Sequence, residues 1–168
     1  MWGDLPEGAR RVQQFLFERG SAAVVRLLPE TTATAQDAAT ALGVPVSRIG
    51  KSIVFAGATT TIVAIARGDQ RIDVDALAAV LCADELKPLR AAAVKQSTGY
   101  VIGGVSPFAL PAGVRIIVDS SLRDFEDCYV AAGHPKAIVQ ITPEELVALT
   151  GAVVHPIAIH VQPGPPEK

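Results

Sequence analysis

Apolar positions along this chain follow two spacings, one helical and one extended, and the switches between them outline its elements. Val12, Phe15, Leu16 and Arg19 repeat at helical spacing behind Asp4-Leu5-Pro6-Glu7. There Asp4 is placed to cap a helix, Glu7 follows three residues later, and Gly20 is the stop. Residues 22–28 are rich in Val and Leu and predict a strand ending at Pro29. Thr34-Ala35-Gln36-Asp37 opens a short Ala-rich helix that Gly43 ends. Residues 52–55 and 60–66 are β-branched runs on either side of Ala56-Gly57-Ala58-Thr59, which is a hairpin signal. Asp73 caps a helix running to about Leu81, and residues 91–98 predict another, followed by Gly99. The continuous apolar run 114–118 predicts a strand buried on both faces. Val130, Ile138, Val139 and Ile141 mark two more strand segments. Thr142-Pro143-Glu144-Glu145 carries the strongest local signal, an N-cap with proline at the first helical position and Glu at the third. Gly151 ends that helix and 153–157 returns to the sheet.

Several of these strand pairs are joined too tightly for crossover helices. The expected fold is therefore α/β of the α+β type, a mixed, curved, barrel-like sheet with helices packed outside. No internal repeat or linker divides it, so residues 1–160 form one domain and the stretch 161–168, with Pro163, Pro165 and Pro166, is a loose tail.

Composition changes this picture mainly by exclusion. A chain of 168 residues with 49% hydrophobic and 19% charged residues can bury a core without disulfides or metals. No apolar run approaches the roughly 18 residues that span a bilayer. The acidic start Met1-Trp2-Gly3-Asp4-Leu5-Pro6-Glu7 is unlike a signal peptide, so the chain reads as cytoplasmic, with no membrane partner. Cys82 and Cys128 stand far apart and read as small buried apolar residues. No His or carboxylate set has metal-ligand spacing, so neither metal nor cofactor is expected. The net charge of −2 argues against a general DNA binder. Nucleic-acid contact must then be local, through Arg48, Lys51, Arg67, Arg71, Lys87, Arg90 or Lys95.

Four places carry candidate chemistry. Lys51-Ser52 stands at the entrance to an apolar strand, where a lysine either snorkels to water or meets a phosphate, hydroxyl or carbonyl oxygen. In Thr98-Gly99-Tyr100-Val101-Ile102-Gly103-Gly104-Val105-Ser106-Pro107, the paired glycines allow close approach of a ligand and can aim N–H groups at an oxyanion. An ordinary tight turn, stiffened at its exit by Pro107, is the plainer account. Asp119 follows the buried run, as a turn residue or as a carboxylate that orients a lysine or water. His134, after Gly133, is placed in a loop where an imidazole can relay a proton.

Taken in order, Lys51-Ser52, Thr98-Gly99-Tyr100 with Gly103-Gly104-Val105-Ser106-Pro107, Asp119, and Ala132-Gly133-His134 resemble the YbaK family. That family includes the editing domain found within, or standing apart from, bacterial prolyl-tRNA synthetases. The resemblance runs from about residue 34 to residue 154. It implies a trans-acting deacylase that hydrolyses the ester between a wrong amino acid and tRNA, with the tRNA 3′ aminoacyl end as partner and an aminoacyl-tRNA synthetase as a second candidate. Carried over by position, Lys51 holds the terminal nucleotide or the substrate carbonyl, and the Gly103-Gly104 backbone offers N–H groups to the ester. Tyr100, Ser106, Asp119 and His134 line or support the pocket. The His- and Tyr-containing strand of the Cys-tRNA editing type is replaced here by Val24-Val25-Arg26-Leu27-Leu28-Pro29-Glu30-Thr31-Thr32. Thr31, Thr32 and Thr34 can present hydroxyls to a small polar side chain, or Thr34 simply caps its helix. The competing readings are a module that binds a tRNA end or nucleotide without turnover, and a DNA binder with salt-dependent affinity for duplex.

Overall fold

The computed structural model describes residues 2–30 and 33–161, and the elements follow the chain in an alternating order. Helix α1 (Glu7–Glu18) leads into β1 (Val25–Leu27) and α2 (Ala35–Leu42). A hairpin of β2 (Ile49–Ala56) and β3 (Thr61–Arg67) follows, then β4 (Gln70–Ile72), α3 (Val74–Leu81), β5 (Lys87–Pro88) and α4 (Ala91–Thr98). The second half holds β6 (Arg115–Asp119), β7 (Cys128–Ala131), β8 (Ala137–Ile141), α5 (Pro143–Thr150), β9 (Val153–His155) and β10 (Ala158–His160). Of the suggested tail 161–168, Val161 is described, with its N–H donating to Asp69 O, while residues from 162 onward, like Thr31 and Thr32, lie outside the described residues.

The sheet is mixed, with strand order β1-β8-β7-β2-β3-β6-β9 and β5 pairing on β2. The hairpin β2–β3 is antiparallel, while β2–β7, β3–β6 and β6–β9 are parallel. β10 and β4 form a separate antiparallel pair. The central strands are apolar on both sides because both sides are covered. Val63, Ile65 and Val118 pack with Ala9, Val12 and Leu16 of α1, whereas Ile62, Ala64 and Ile117 pack with Leu77 of α3 and with Ile157. Helix α2 covers a third cluster around Ile49, Tyr129 and Ile138. Among the described residues no helix is long and apolar enough to cross a membrane.

Three caps form where their residue types place them. Thr34 Oγ1 accepts from Asp37 N, Asp73 Oδ1 from Ala76 N, and Thr142 Oγ1 from Glu145 N. Asp4 does not cap α1. That helix starts after Pro6, with no side-chain cap, because the proline's fixed extended backbone already directs the chain into the first turn. The strand expected over 22–28 shortens to Val25–Leu27, since Gln13 of α1 binds this stretch instead: it donates to Ala23 O and accepts from Val25 N. Cys128 is buried, which pushes its thiol up to about 12, but Cys82 is exposed. It takes the left-handed position that closes α3 (φ 52°), at the surface end of that helix.

Candidate active site

Strand β2 has a break along one edge. It registers with β7 only at Ile49 and Gly50, and with β5 only at Phe55 and Ala56. Leu89 N closes the far end by donating to Val54 O at 2.9 Å. Between these points, from Lys51 to Ile53, no strand lies alongside among the described residues. Hydrogen-bonding direction alternates along a strand. Since Val54 O faces this edge, so do the N–H and C=O of Ser52, while Ile49 O faces the other way and accepts from Gly68 N. A cleft of about 440 Å³ opens at the break, walled by residues 33–36 and Ala38 at the start of α2, residues 49–53, Gly68, loop residues Ile102, Gly103 and Val105 but not Gly104, and by Ala131 and Ile138.

Lys51 sits on this wall, half-buried, beside Ala66 of β3. Burial pulls its ammonium below the ordinary lysine value, and the Asp69 carboxylate partly restores it. Asp69 is itself gripped by Arg67, at 3.0 Å from Nε and 2.7 Å from Nη2. Ser52 Oγ is shut off from solvent and meets no hydrogen-bond partner among the described residues. Thr34 lines the cleft with its hydroxyl engaged as the α2 cap.

The glycine loop reaches the cleft at Gly103, in the left-handed region at φ 91°. A Cβ there would stand 3.1 Å from Ala33 Cα, and one on Gly104 would stand 2.9 Å from the main chain of His134. The expected pair of glycine N–H donors resolves differently. Gly104 N donates to Val101 O, and Gly104 O accepts from Gly133 N. The N–H groups of Gly103 and Val105 have no acceptor among the described residues. These two loop amides join the unpaired Ser52 N–H at the wall.

The other candidate residues lie around the cleft rather than in it. Tyr100, Ser106 and Pro107 are buried behind the loop. Tyr100 OH donates to Phe108 O at 2.6 Å and Ser106 Oγ accepts from Phe108 N, so both brace it. Asp119 is 3% exposed, and both its oxygens are engaged. Oδ1 accepts from Ile157 N, and Oδ2 from the N–H and hydroxyl of Ser121. Register places it on β6, two strands from Lys51, so roughly 10 Å away. His134 presents its main chain to Gly104, while its Nδ1 accepts from Lys136 N. Gly133 (φ 90°) shapes the same turn. Gly68 and the pairing of Arg67 with Asp69 are not visible in the sequence pattern. A Cβ at Gly68 would lie 2.4 Å from Val46 O, so this turn admits no side chain. Arg67-Gly68-Asp69 directly after a predicted strand is the one local signal that points to it. Among the described residues no three His, Cys, Asp or Glu side chains gather as a metal site.

Residues 29–149 match the family model of the aminoacyl-tRNA editing domain. The uncharacterised protein YwhH of Bacillus subtilis is 34% identical over 117 residues, covering 69% of this chain and 74% of that protein. EbsC of Enterococcus faecalis, a candidate Cys-tRNA(Pro)/Cys-tRNA(Cys) deacylase, is 27% identical over 118 residues, covering 70% of this chain and 72% of EbsC. The solved structure of a candidate trans-editing enzyme for prolyl tRNA synthetase superposes with a TM-score of 0.86 at 35% identity, covering 92% of this chain and 99% of that one.

Proposed function

This chain belongs to the YbaK-type aminoacyl-tRNA editing domain family and is a deacylase by class, and from that premise we propose that it acts in trans on tRNA mischarged with a small amino acid: Ala, Ser, Thr or Cys. The observation that carries this reading is the break in β2. It sets a half-buried cation, an unpaired stretch of backbone and two available loop amides around one small cleft.

In this reading the aminoacyl group enters the break. The Ser52 carbonyl accepts from its α-ammonium. The N–H groups of Gly103 and Val105, with the Lys51 ammonium, face the ester carbonyl oxygen. A water oxygen attacks the carbonyl carbon, and the negative charge that develops on the carbonyl oxygen is met by those donors. The bond to the terminal ribose oxygen then breaks and that oxygen takes a proton, leaving free amino acid and tRNA. An ester of this kind is already activated, so positioning and electrostatic help suffice without a covalent nucleophile. Asp69, itself held by Arg67, keeps a counter-charge near Lys51. Asp119 and His134 act at a distance, one fastening β6 to Ile157 and the other backing the glycine loop. The cleft of about 440 Å³ must admit the aminoacyl group together with part of the terminal ribose. The partner is the tRNA 3′ end, with an aminoacyl-tRNA synthetase supplying the mischarged substrate.

The test is release of amino acid from Ala-, Ser-, Thr- and Cys-charged tRNAs by native protein and by Lys51→Ala. Native protein is expected to deacylate one or two of them. The variant should lose about 10²–10³-fold in kcat, the usual effect of removing one preorganised charge-stabilising donor. Its melting behaviour should stay native-like. Tight binding with no release from any substrate would instead make the cleft a binding site without turnover.

A further inference from the structure

Helix α4 closes at Gly99 in a left-handed conformation, φ 80°, and two cations from different helices converge there. Lys95 Nζ donates to Gly99 O at 3.1 Å. Arg11 of α1 lies over the Tyr100 ring with Cζ 4.8 Å from its centroid, and a Cβ on Gly99 would stand 2.8 Å from its Nη2. Both side chains are exposed. Neither comes within 4 Å of a carboxylate among the described residues, and Glu7, one turn before Arg11, makes no ion pair with it. Three other cations do have counter-charges: Arg48 pairs with Asp127, Arg67 with Asp69 and Asp124, and Lys87 with Glu85. In a chain with 17 acidic and 15 basic residues, two adjacent cations without a counter-charge repel each other until an anion joins them.

The residues after Gly99 give that anion a context. Val101 and Ile102 are 43% and 54% exposed, and Ile102 and Gly103 already belong to the cleft wall. Within five residues the surface runs from a cation pair, over an apolar step, into the cleft. Even fully extended, the chain from Gly99 to Gly103 spans no more than about 14 Å. A ligand with a negatively charged backbone, flat apolar faces and an aminoacyl end fits this order. Arg11 is also pre-ordered by its stacking on Tyr100, so its fork loses little freedom on meeting a phosphate.

We propose that this strip is the track for the unpaired 3′ end of the tRNA: a backbone phosphate shortly before the terminal nucleotide rests on Arg11 and Lys95, and the last bases lie on Val101 and Ile102. The inference rests on the deacylase reading of the cleft. It assigns the strip to positioning the substrate and leaves the ester chemistry to the cleft.

The experiment compares native protein with Arg11→Gln/Lys95→Gln on aminoacyl-tRNA and on aminoacyl-adenosine, which lacks backbone phosphates. On tRNA the double variant should raise KM by about tenfold with kcat little changed, and flatten the dependence of log KM on log salt by about one unit. The difference should vanish on aminoacyl-adenosine. Lys95→Gln alone, on an exposed helix position, guards against damage through Tyr100 and should produce part of the same KM effect. Unchanged KM and salt dependence on tRNA would overturn the strip, as would an equal loss on both substrates. Native protein that cleaves neither substrate would overturn the deacylase reading itself, a different outcome from native activity that the substitutions leave untouched.

Discussion

Lys51 combines a long cation with a strand whose other side chains are mostly apolar, and that tension predicts how it titrates. Its folded value lies below the ordinary 10.5, because burial penalises the ammonium more than Asp69 favours it. The unfolded chain therefore holds this proton more readily. Stability is reduced while both states are charged and recovers as pH climbs through the lowered value towards 10.5. Lys51→Met should accordingly melt higher than native protein near neutral pH, with the gap closing as pH rises, checked by thermal unfolding across that range. Deacylation over the buffer blank should fall along an alkaline limb below pH 10.5, and Lys51→Arg, which stays charged, should move that limb out of reach. Residue type made Lys51, Ser52 and Gly103 visible in the sequence, since a Lys-Ser pair opening an apolar strand and a Gly-Gly pair are both local signals. The roles of Asp119 and His134 were not visible. Asp119 is committed to Ile157, far along the chain, and His134 matters through its main chain, which carries no residue-type signature.

At the scale of elements, α1 docks through a glycine contact that runs against helix propensity. A Cβ on Gly8 would stand 2.0 Å from Gly133 O, and one on Gly133 would stand 2.4 Å from Gly8 O. Replacing a helical glycine by alanine ordinarily stabilises by about 1 kcal/mol. Here the added methyl meets backbone that cannot swing aside, and overpacking of that kind costs about 1–3 kcal/mol. Gly8→Ala should thus lower the denaturant midpoint without changing its slope, and weaken deacylation by shifting the turn that backs Gly104. Helices with a polar cap at the start and a glycine at the end, such as α2 and α5, were legible because both signals are local. The α1 start was not, since Pro6 does without a side-chain cap. The short strands β4, β5 and β10 were missed for another reason: a few residues carry no period, and what makes them strands is the partner across from them.

For the whole molecule, residues 1–160 are proposed to fold as one unit, although β1 pairs with β8 from the far end of the chain and α1 closes one face of the sheet. Trp2 is the only tryptophan and packs edge-on to Phe17 of α1 at 5.4 Å, so its fluorescence reports the integrity of α1 and its lead-in, while far-UV circular dichroism reports the sheet and helices together. In a chain of residues 1–160 the two probes should trace one coincident transition, and an earlier fluorescence change would mean that α1 leaves on its own. Fold class was readable from the mixture of helical and extended spacings, whereas strand order was not, because an apolar run states that it is buried and not which neighbour buries it. The break in β2 has one more consequence. Open strand edges tend to recruit other chains, and proteins shorten or guard them for that reason. Here β7 and β5 stand at either end of a three-residue opening, so an intruding strand would find only that short length of β2 to pair with. The opening proposed to expose backbone to an aminoacyl group is thus also one that offers another chain little ladder to extend.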